Sequence, residues 1–295
     1  ALPISIRFIV PQATGGSNDI FARFFAHHLT ERLGKQVVVD NRAGADGIIG
    51  TEIAARAAPD GHTWLMASGA YAMNAAVQKT PYDPATAFAW MAKIGTGPSV
   101  LVVNPSLPVN SVKDLLALGK AKPGYLTMAS AGGFQHFTSE MFRYLSGMEI
   151  AIVLYRGGFP ALLDVISGQA HFLLGSFVTS NTQIRAGKLK PLATGGATRT
   201  ALLPNLPTVA EAGVPGYDAS NYWLIGSSAG TPAAVVNRIN SEVSAILKMP
   251  ETQKRFTAEG AEIDFKTPAE SEQLIKNELA KWARVAKEAR MTGAK

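Results

Sequence analysis

Small and polar residues occupy four segments between a predicted strand and a predicted helix, and such segments suit the binding of an anion. They are residues 14–18, 44–47, 131–136 and 157–159. The N–H groups in the first turn of a helix have no acceptor within the helix, and the helix dipole adds a partial positive charge there. Ligands of open α/β sheets bind at the carboxyl ends of the strands, where these segments lie. The pattern predicts a site for a carboxylate or a similar anion, bound by Ser, Thr and Asn groups without a buried arginine.

The five histidines have no spacing that is typical of a metal site. His27 and His28 are adjacent on a predicted helix and are expected to point in different directions. His136 follows a Gly-Gly pair at the start of a helix, where contact with a ligand and a capping role are equally open. The glycines show no dinucleotide or Walker spacing. The sequence therefore predicts neither a metal nor a cofactor.

One segment matches the nucleophile elbow of serine hydrolases. Residues 226–230 fit the pattern Gly-x-Ser-x-Gly around Ser228, between a predicted strand and a predicted helix. In that fold an acid and then a histidine follow the serine, and no histidine follows His171. A plain turn before a helix is the favoured interpretation, so we expect no enzyme and no catalytic residue. A hydrolase that uses Ser228 and recruits His136 is the less favoured alternative.

Alternating strands and helices must position these segments. Strands are predicted at residues 4–10, 37–40, 62–68, 100–103, 126–130, 150–155 and 171–174. The helical connections between them are long enough to require parallel neighbours. The first three strands and the last three form two cycles that match in the order of their elements and in their glycine-rich loops. This match predicts two lobes of the same topology.

The C-terminal part of the chain is expected to complete the first lobe. Two strongly amphipathic helices are predicted at residues 232–248 and 268–289. The fold class is therefore α/β, with two lobes that are each a mixed, mostly parallel sheet flanked by helices. Lobe 1 is predicted to begin with residues 1–103, lobe 2 to comprise residues 104–220, and residues 221–295 to return to lobe 1. We expect the loops of both lobes to face one cleft, which holds the anion.

Composition excludes several classes of protein. The chain has 295 residues, with 28 Lys and Arg against 22 Asp and Glu, and no cysteine. The basic residues are spread along the chain, often beside acids, so we expect no nucleic acid as a partner. No run approaches 18 apolar residues, which excludes a membrane-spanning helix. Without cysteine, disulfides and thiol chemistry are excluded.

The motifs together resemble those of a known family. Residues 11–23 read Pro-x-x-x-Gly-Gly-x-x-Asp-x-x-Ala-Arg, and residues 38–50 read Val-Val-x-Asn-Arg-x-Gly-Ala-x-Gly-x-x-Gly. Further elements are Ala-Ala-Pro-Asp-Gly at 57–61, Pro-Tyr-Asp-Pro at 81–84 and Pro-Thr-x-x-Glu-Ala-Gly-x-Pro-Gly at 207–216. Over nearly its whole length, the chain resembles the extracytoplasmic solute-binding proteins of tripartite tricarboxylate transporters, the Bug/TctC family.

The resemblance implies a periplasmic binding protein of the type II, Venus-flytrap kind, from which a signal peptide has been removed. It implies a small carboxylate as the ligand, aromatic or dicarboxylic acids included, and the transporter's membrane subunits as partners. The sequence has no long apolar seam, so a monomer is expected. A ligand sensor that acts on a signalling partner would share the same site, and the sequence leaves that alternative open.

The resemblance also implies which residues contact the ligand. In lobe 1 and on the crossing segment they are Thr14, Gly15, Gly16, Ser17, Asn18, Ser68, Gly69, Tyr71 and Tyr222. In lobe 2 they are Ser130, Ala131, Gly132, Gly133, Phe134, Gln135, His136, Gly158, Phe159, Asp164 and Phe177. Asp164 is the least expected of these, because a carboxylate repels an anion. We expect it to orient water or to accept hydrogen bonds from a helix N-terminus.

Four aromatic side chains are expected around the mouth of the site. They are Tyr71, Phe134, Phe159 and Phe177. Their size and flat faces would suit a bulkier or flatter acid than succinate or glutamate. The alternative is that some of them pack into the cores of the lobes, as aromatic residues often do.

Overall fold

The computed structural model describes residues 5–132 and 134–288. In this part of the chain the strands are β1 Ile6–Val10, β2 Val37–Asn41, β3 Thr63–Ser68, β4 Phe88–Val103, β5 Thr127–Ala131, β6 Ala151–Tyr155, β7 Phe172–Ser176, β8 Lys190–Thr194, β9 Ser220–Ser228 and β10 Glu262–Lys266. The helices are α1 Ser17–Leu33, α2 Ile48–Ala55, α3 Ala70–Val77, α4 Val112–Ala121, α5 Phe134–Ser146, α6 Gly158–Ser167, α7 Phe177–Arg185, α8 Ala233–Leu247, α9 Pro250–Glu259 and α10 Pro268–Glu288.

The chain forms two compact units. Unit 1 comprises the described residues up to Thr96, Tyr222–Phe256 and the described residues from Ile263 onward. Unit 2 comprises Gly97–Asn221 and Thr257–Glu262. The first boundary between the units lies inside β4, after Thr96, whereas the sequence analysis placed it after residue 103, at the end of that strand. β4 is one continuous strand that contributes to both sheets.

The sheet of unit 1 has three parallel strands in the order β2-β1-β3, followed by β9 and β4. β1 pairs in parallel with β2 and β3, and β9 pairs antiparallel with β3, with Leu65 opposite Gly226. Each parallel strand leads into a helix on its carboxyl side: α1, α2 or α3. The carboxyl ends of the three strands therefore meet three helix beginnings at one edge of the sheet.

Packing of α1 illustrates why the sequence folds in this way. Phe21, Phe25 and Leu29 recur at helical spacing and are fully buried, and Gly34 ends the helix in a left-handed conformation. The ring of Phe21 lies 4.5 Å from that of Trp223 on β9. This contact sets α1 against the sheet of unit 1 and fixes the position of its N-terminal turn.

Unit 2 repeats this arrangement. Its parallel strands run in the order β6-β5-β7, and each leads into a helix: α6, α5 or α7 respectively. β4 then pairs antiparallel with β7 and with β8. In both units the first strand lies between the second and the third, with an antiparallel neighbour next to the third. The prediction of two lobes of the same topology is confirmed.

Several elements differ from the sequence-based expectation. The sequence predicted only residues 100–103 of β4, and it did not predict α3, α7 or α9. Gly95, Gly97 and Pro98 are turn signals in most contexts, yet here they lie inside a buried strand. Among the described residues, the helices lack the combination of length and hydropathy that crossing a membrane requires.

Candidate functional site

In unit 1, Asn18 organises the loop between β1 and α1. Its Nδ2 donates to Gln12 Oε1 at 2.6 Å and lies 3.4 Å from the carbonyl oxygen of Met66. Its Oδ1 accepts from Trp223 Nε1 at 3.0 Å. The side chain is 4% exposed and both of its polar atoms are engaged within the unit. Asn18 therefore positions the loop through its side chain and offers a ligand only its backbone N–H.

Asp19 holds the same loop from the first turn of α1. Its carboxylate accepts from the Gly15 N–H and from Asn41 Nδ2, both at 3.0 Å, and forms an ion pair with Arg23. Burial raises the pKa of this carboxyl, but the hydrogen bonds from Arg23, Gly15 and Asn41 outweigh that effect and hold the pKa below its ordinary value. Asp19 was not predicted as a site residue, although it stands in the family motif.

A narrow pocket lies at the carboxyl ends of β1 and β3, within unit 1. Its lining residues are Pro11, Gln12, Asp46, Gly47, Thr51, Ala67, Ser68, Ala70, Tyr71 and Asn74. Asn74 Nδ2 donates to the Asp46 carbonyl at 2.9 Å, and Asn74 Oδ1 is buried with no partner among the described atoms. A buried polar atom without a partner marks a place where a ligand or water can bind. Asn74 was missed because α3 was not predicted.

Close backbone approach shapes one wall of this pocket. A Cβ on Gly50 would lie 2.6 Å from the Arg42 carbonyl oxygen and 2.8 Å from Pro11 Cα. No other residue type fits there, so the glycine allows α2 to pack directly against the end of β1.

Tyr71 and Tyr222 are core residues of unit 1. Each is 4% exposed, and both belong to one cluster with Trp90 and Leu224. The Tyr71 hydroxyl donates to the Pro84 carbonyl at 2.8 Å, and burial raises the pKa of both tyrosines. Tyr71 contributes one wall of the pocket and packs in the core, which is the alternative that the sequence left open for some of the four aromatic rings. The Tyr222 hydroxyl has no partner among the described atoms.

In unit 2, the beginnings of α5, α6 and α7 meet at the carboxyl ends of β5, β6 and β7. Gln135 lies among them. Its Oε1 is 3.6 Å from the position that a Cβ would take on Gly158, and its Nε2 is 3.3 Å from the position that a Cβ would take on Gly175. The Gln135 side chain thus reaches from the first turn of α5 to the starts of the two other helices.

Two buried polar atoms near these helix beginnings have no partner among the described atoms. They are His136 Nδ1, in the first turn of α5, and Ser176 Oγ, at the N-cap of α7. His136 is 8% exposed. An unpartnered buried polar atom costs roughly 1–3 kcal/mol, so its persistence favours a function. His136 is the one histidine that the sequence singled out for ligand contact.

Ser130 and Asp164 are engaged inside unit 2. Ser130 is fully buried, and its Oγ lies 3.1 Å from Ser139 Oγ. Asp164 Oδ2 accepts from the Tyr155 hydroxyl at 2.7 Å, and burial together with this bond raises the pKa of Tyr155 to about 12. The donor to Asp164 is a tyrosine hydroxyl and not the helix N-terminus that the sequence analysis named.

The aromatic side chains of unit 2 separate into core and surface. Phe177 is 4% exposed and packs with Val100 and Leu173 in the core of the unit. Phe159 is 58% exposed at the start of α6, and Phe134 is half-buried at the start of α5. Tyr71 and Phe177 pack in cores, which is the alternative left open for some of the four rings, and Phe134 and Phe159 are the more exposed pair.

The other predicted site residues lie in the loops at these two edges or at the ends of the strands and helices that the loops join. In unit 1, Thr14 and Gly15 are exposed, Gly16 and Ser17 are half-buried, and Ser68 and Gly69 are buried. In unit 2, Ala131 is buried, Gly132 is exposed and Gly158 is half-buried. Gly133 lies outside the described residues.

Two other expectations can be compared with the structure. Ser228 is 2% exposed and its Oγ donates to the Ala58 carbonyl at 3.2 Å, so the serine lies at the buried end of β9 and is not an exposed nucleophile. His27 and His28 were expected to point in different directions, but their rings lie close together. Successive residues are rotated by about 100° around a helix axis, but the reach of the imidazoles brings the ring centroids within 5.1 Å.

Comparison with known proteins shows the family. The model of the tripartite tricarboxylate transporter family receptor matches residues 21–291. Protein BugT of Bordetella pertussis is 34% identical over 295 residues, which cover 98% of this chain and 90% of that protein. These matches confirm the resemblance that the sequence motifs indicated.

Solved structures show the same fold. R. palustris Rpa4515 with adipate is 33% identical, with a TM-score of 0.91 and coverage of 98% of both chains. MatC from Rhodopseudomonas palustris with bound malate is 26% identical, with a TM-score of 0.88, covering 95% of this chain and 98% of that one. The fold is that of the periplasmic binding proteins, and the expectation that this chain is not an enzyme is confirmed. The chain belongs to the tripartite tricarboxylate transporter receptors, a family of solute-binding proteins.

Proposed function

We propose that this protein captures a small carboxylate in the periplasm and delivers it to the membrane subunits of a tripartite tricarboxylate transporter. Family membership supports the transport role, and the adipate and malate in the two related structures support a dicarboxylate as the ligand. We further propose that it acts as a monomer.

The observation that carries the proposal is the edge of unit 2 where three helices begin. The first-turn N–H groups of α5, α6 and α7 have no acceptor within their helices and favour a carboxylate there, each helix end contributing roughly 0.3–1 kcal/mol. The unpartnered atoms His136 Nδ1 and Ser176 Oγ supply two further polar groups. We propose that one carboxylate group of the ligand binds at this edge, beside the Gln135 amide.

The site residues of unit 1 are proposed to bind ligand mainly through backbone. Thr14 is exposed just ahead of α1 and Ser17 is half-buried in its first turn, whereas the Gly15 N–H and the Asn18 and Asp19 side chains are already engaged. The pocket beside Asn74 and Ser68 offers side-chain groups within the same unit.

We propose that these polar groups and the burial of two aromatic rings also decide which class of carboxylate binds. A dicarboxylate satisfies polar groups without requiring a flat apolar wall, and two of the four aromatic rings expected around the mouth are core residues. We therefore favour aliphatic dicarboxylates over aromatic acids.

The test is a thermal-shift screen followed by calorimetry, using malate, succinate, adipate, citrate, glutamate, benzoate and terephthalate. A ligand present at about 1,000 times its Kd adds roughly 4 kcal/mol of stability. We expect an aliphatic dicarboxylate to give the largest shift, and Ser176→Ala to weaken its binding about tenfold, the effect of one lost charge-assisted hydrogen bond. Ser167→Ala, an exposed serine at the other end of α6, is the matched control and should bind as the unaltered chain does. No shift with any acid, on protein shown to be folded, would contradict the proposal.

A further inference from the structure

A second cluster of polar side chains lies in the C-terminal half of α1, away from the proposed carboxylate site. His27, His28 and Glu31 each direct one potential ligand atom into the same space, and these atoms lie within 4.8 Å of one another. His27 Nε2 is 3.8 Å from Glu31 Oε1. With a rise of 1.5 Å per residue, His27 lies about 15 Å along the helix from Ser17.

Glu251, in the first turn of α9, lies beside this three-residue cluster and contacts its buried member, His28. Its Oε1 lies 3.9 Å from His28 Nε2. The His28 imidazole is held in place, because its side chain is only 11% exposed and its ring packs edge-on against Phe24 at 4.6 Å. The other three side chains are exposed, so an ion can reach the cluster and those side chains can move towards it.

We propose that His27, His28, Glu31 and Glu251 form a binding site for a divalent transition-metal ion of the zinc class. Two imidazole nitrogens and two carboxylate oxygens are the ligand types that zinc, nickel and copper accept. Tetrahedral zinc needs ligand bonds of about 2.0–2.2 Å, which small rotations of the exposed side chains can provide. All four residues belong to unit 1.

The bound ion would connect α1 with α9. These helices already pack together through the Phe21 and Phe256 rings, whose centroids are 4.6 Å apart. An ion that binds the folded chain and not the unfolded chain raises stability by mass action. The site therefore predicts a metal-dependent rise in the melting temperature that does not require a carboxylate ligand.

The test uses the full chain without an affinity tag, stripped of metal with a chelator and then dialysed. Calorimetry with Zn²⁺ should show one ion bound per chain, and Co²⁺ should give the strong visible absorption of tetrahedral coordination. His27→Gln should weaken binding by at least about tenfold, since even supporting residues of metal sites contribute tenfold or more. Glu31→Gln and Glu251→Gln should each weaken it. His62→Gln, at a half-buried histidine outside the cluster, should leave binding unchanged.

Three outcomes would overturn the proposal: absence of one-to-one binding at about 1 mM Zn²⁺, equal affinity in His27→Gln and the unaltered chain, or an equal loss in His62→Gln. His28 is left unchanged in these variants because its ring packs in the structure. None of the varied residues belongs to the proposed carboxylate site, so the carboxylate screen and the metal titration can fail independently.

Discussion

Trp223 Nε1 donates a hydrogen bond of 3.0 Å to Asn18 Oδ1, across 205 positions of sequence. Both groups are buried. This bond joins the first turn of α1 to β9 and thereby fixes the loop that carries Thr14 and Gly15. The Asn18 amide, together with the Asp19 carboxylate that accepts from the Gly15 N–H, thus holds the loop ahead of α1 in place.

Asn18→Ala should destabilise the protein. The change leaves the indole N–H of Trp223 buried without an acceptor, which costs roughly 1–3 kcal/mol. The midpoint of urea unfolding should fall accordingly. Trp223→Phe removes the donor of the same hydrogen bond. No indole N–H is then left without an acceptor, so Asn18→Ala should lower the stability of the Trp223→Phe variant by less than it lowers that of the unaltered chain. An unchanged midpoint for Asn18→Ala would show that the bond contributes nothing to stability.

Asp19→Asn should make stability less dependent on pH in the acid range. The pKa of Asp19 is lowered in the folded protein, so its contribution is fully present above the unfolded value near 3.8 and is lost as pH falls through the folded value. Hydrogen bonds to a charged group contribute about 1.5–3 kcal/mol, which sets the expected difference at pH 7. Chemical unfolding at a series of pH values measures it. A difference between variant and unaltered protein that stays constant below pH 4 would contradict the assignment.

Asp264→Ala should be among the most damaging single changes in unit 1. Lys93 on β4 is 7% exposed and pairs with Asp264 on β10. Burial raises the pKa of Asp264, but the hydrogen bonds and charges of Lys93 and Lys266 outweigh it and hold the pKa low. Removing the carboxylate leaves a buried ammonium unpaired, at a cost of about 3–5 kcal/mol.

The control for this ion pair is Lys266→Met. Lys266 also contacts Asp264, at 3.3 Å, but its side chain is 40% exposed. An exposed pair contributes about 0–1 kcal/mol, so this variant should melt close to the unaltered protein. Differential scanning calorimetry measures the melting temperatures of both variants. Equal falls in melting temperature would show that burial of Lys93 is not what makes the pair with Asp264 important for stability.

Phe159→Ser should change ligand preference and leave stability almost unaltered. The ring is 58% exposed at the beginning of α6, so its removal exposes little new surface. If Phe159 contacts the ligand, calorimetry should show a larger loss of affinity for aromatic acids than for malate. An equal affinity for every acid before and after the change would exclude the ring from the site.

The fold was largely predictable because periodic segments control it. β1, α1, β2 and β3 follow clear hydrophobic patterns, and their glycine-rich loops fall at the expected places. α7 was missed because its sequence is mostly polar and lacks an apolar period. α9 was missed for a similar reason, since only Thr252 and Phe256 on it are buried.

The candidate site was less predictable, because tertiary partners decide what a side chain is free to do. The sequence places Asn18 at a helix start, but not the indole 205 positions away that engages its amide. Nor can it tell Phe177, which packs in a core, from Phe159, which is exposed. His136 differs from these, since its place behind two glycines left ligand contact and a capping role equally open, and its Nδ1 has no partner among the described atoms.

The position of β9 has a consequence for biosynthesis. β9 pairs with β3, so the edge of β3 stays open until residue 228 has left the ribosome. At about 5–20 residues per second, this interval lasts roughly 10–30 s after β3 is made. During that time the nascent chain presents an unpaired strand edge, which is a target for a holding chaperone and a hazard for aggregation. Because β9 is made late, the amino-terminal part of the chain cannot reach its final structure until synthesis has passed residue 228.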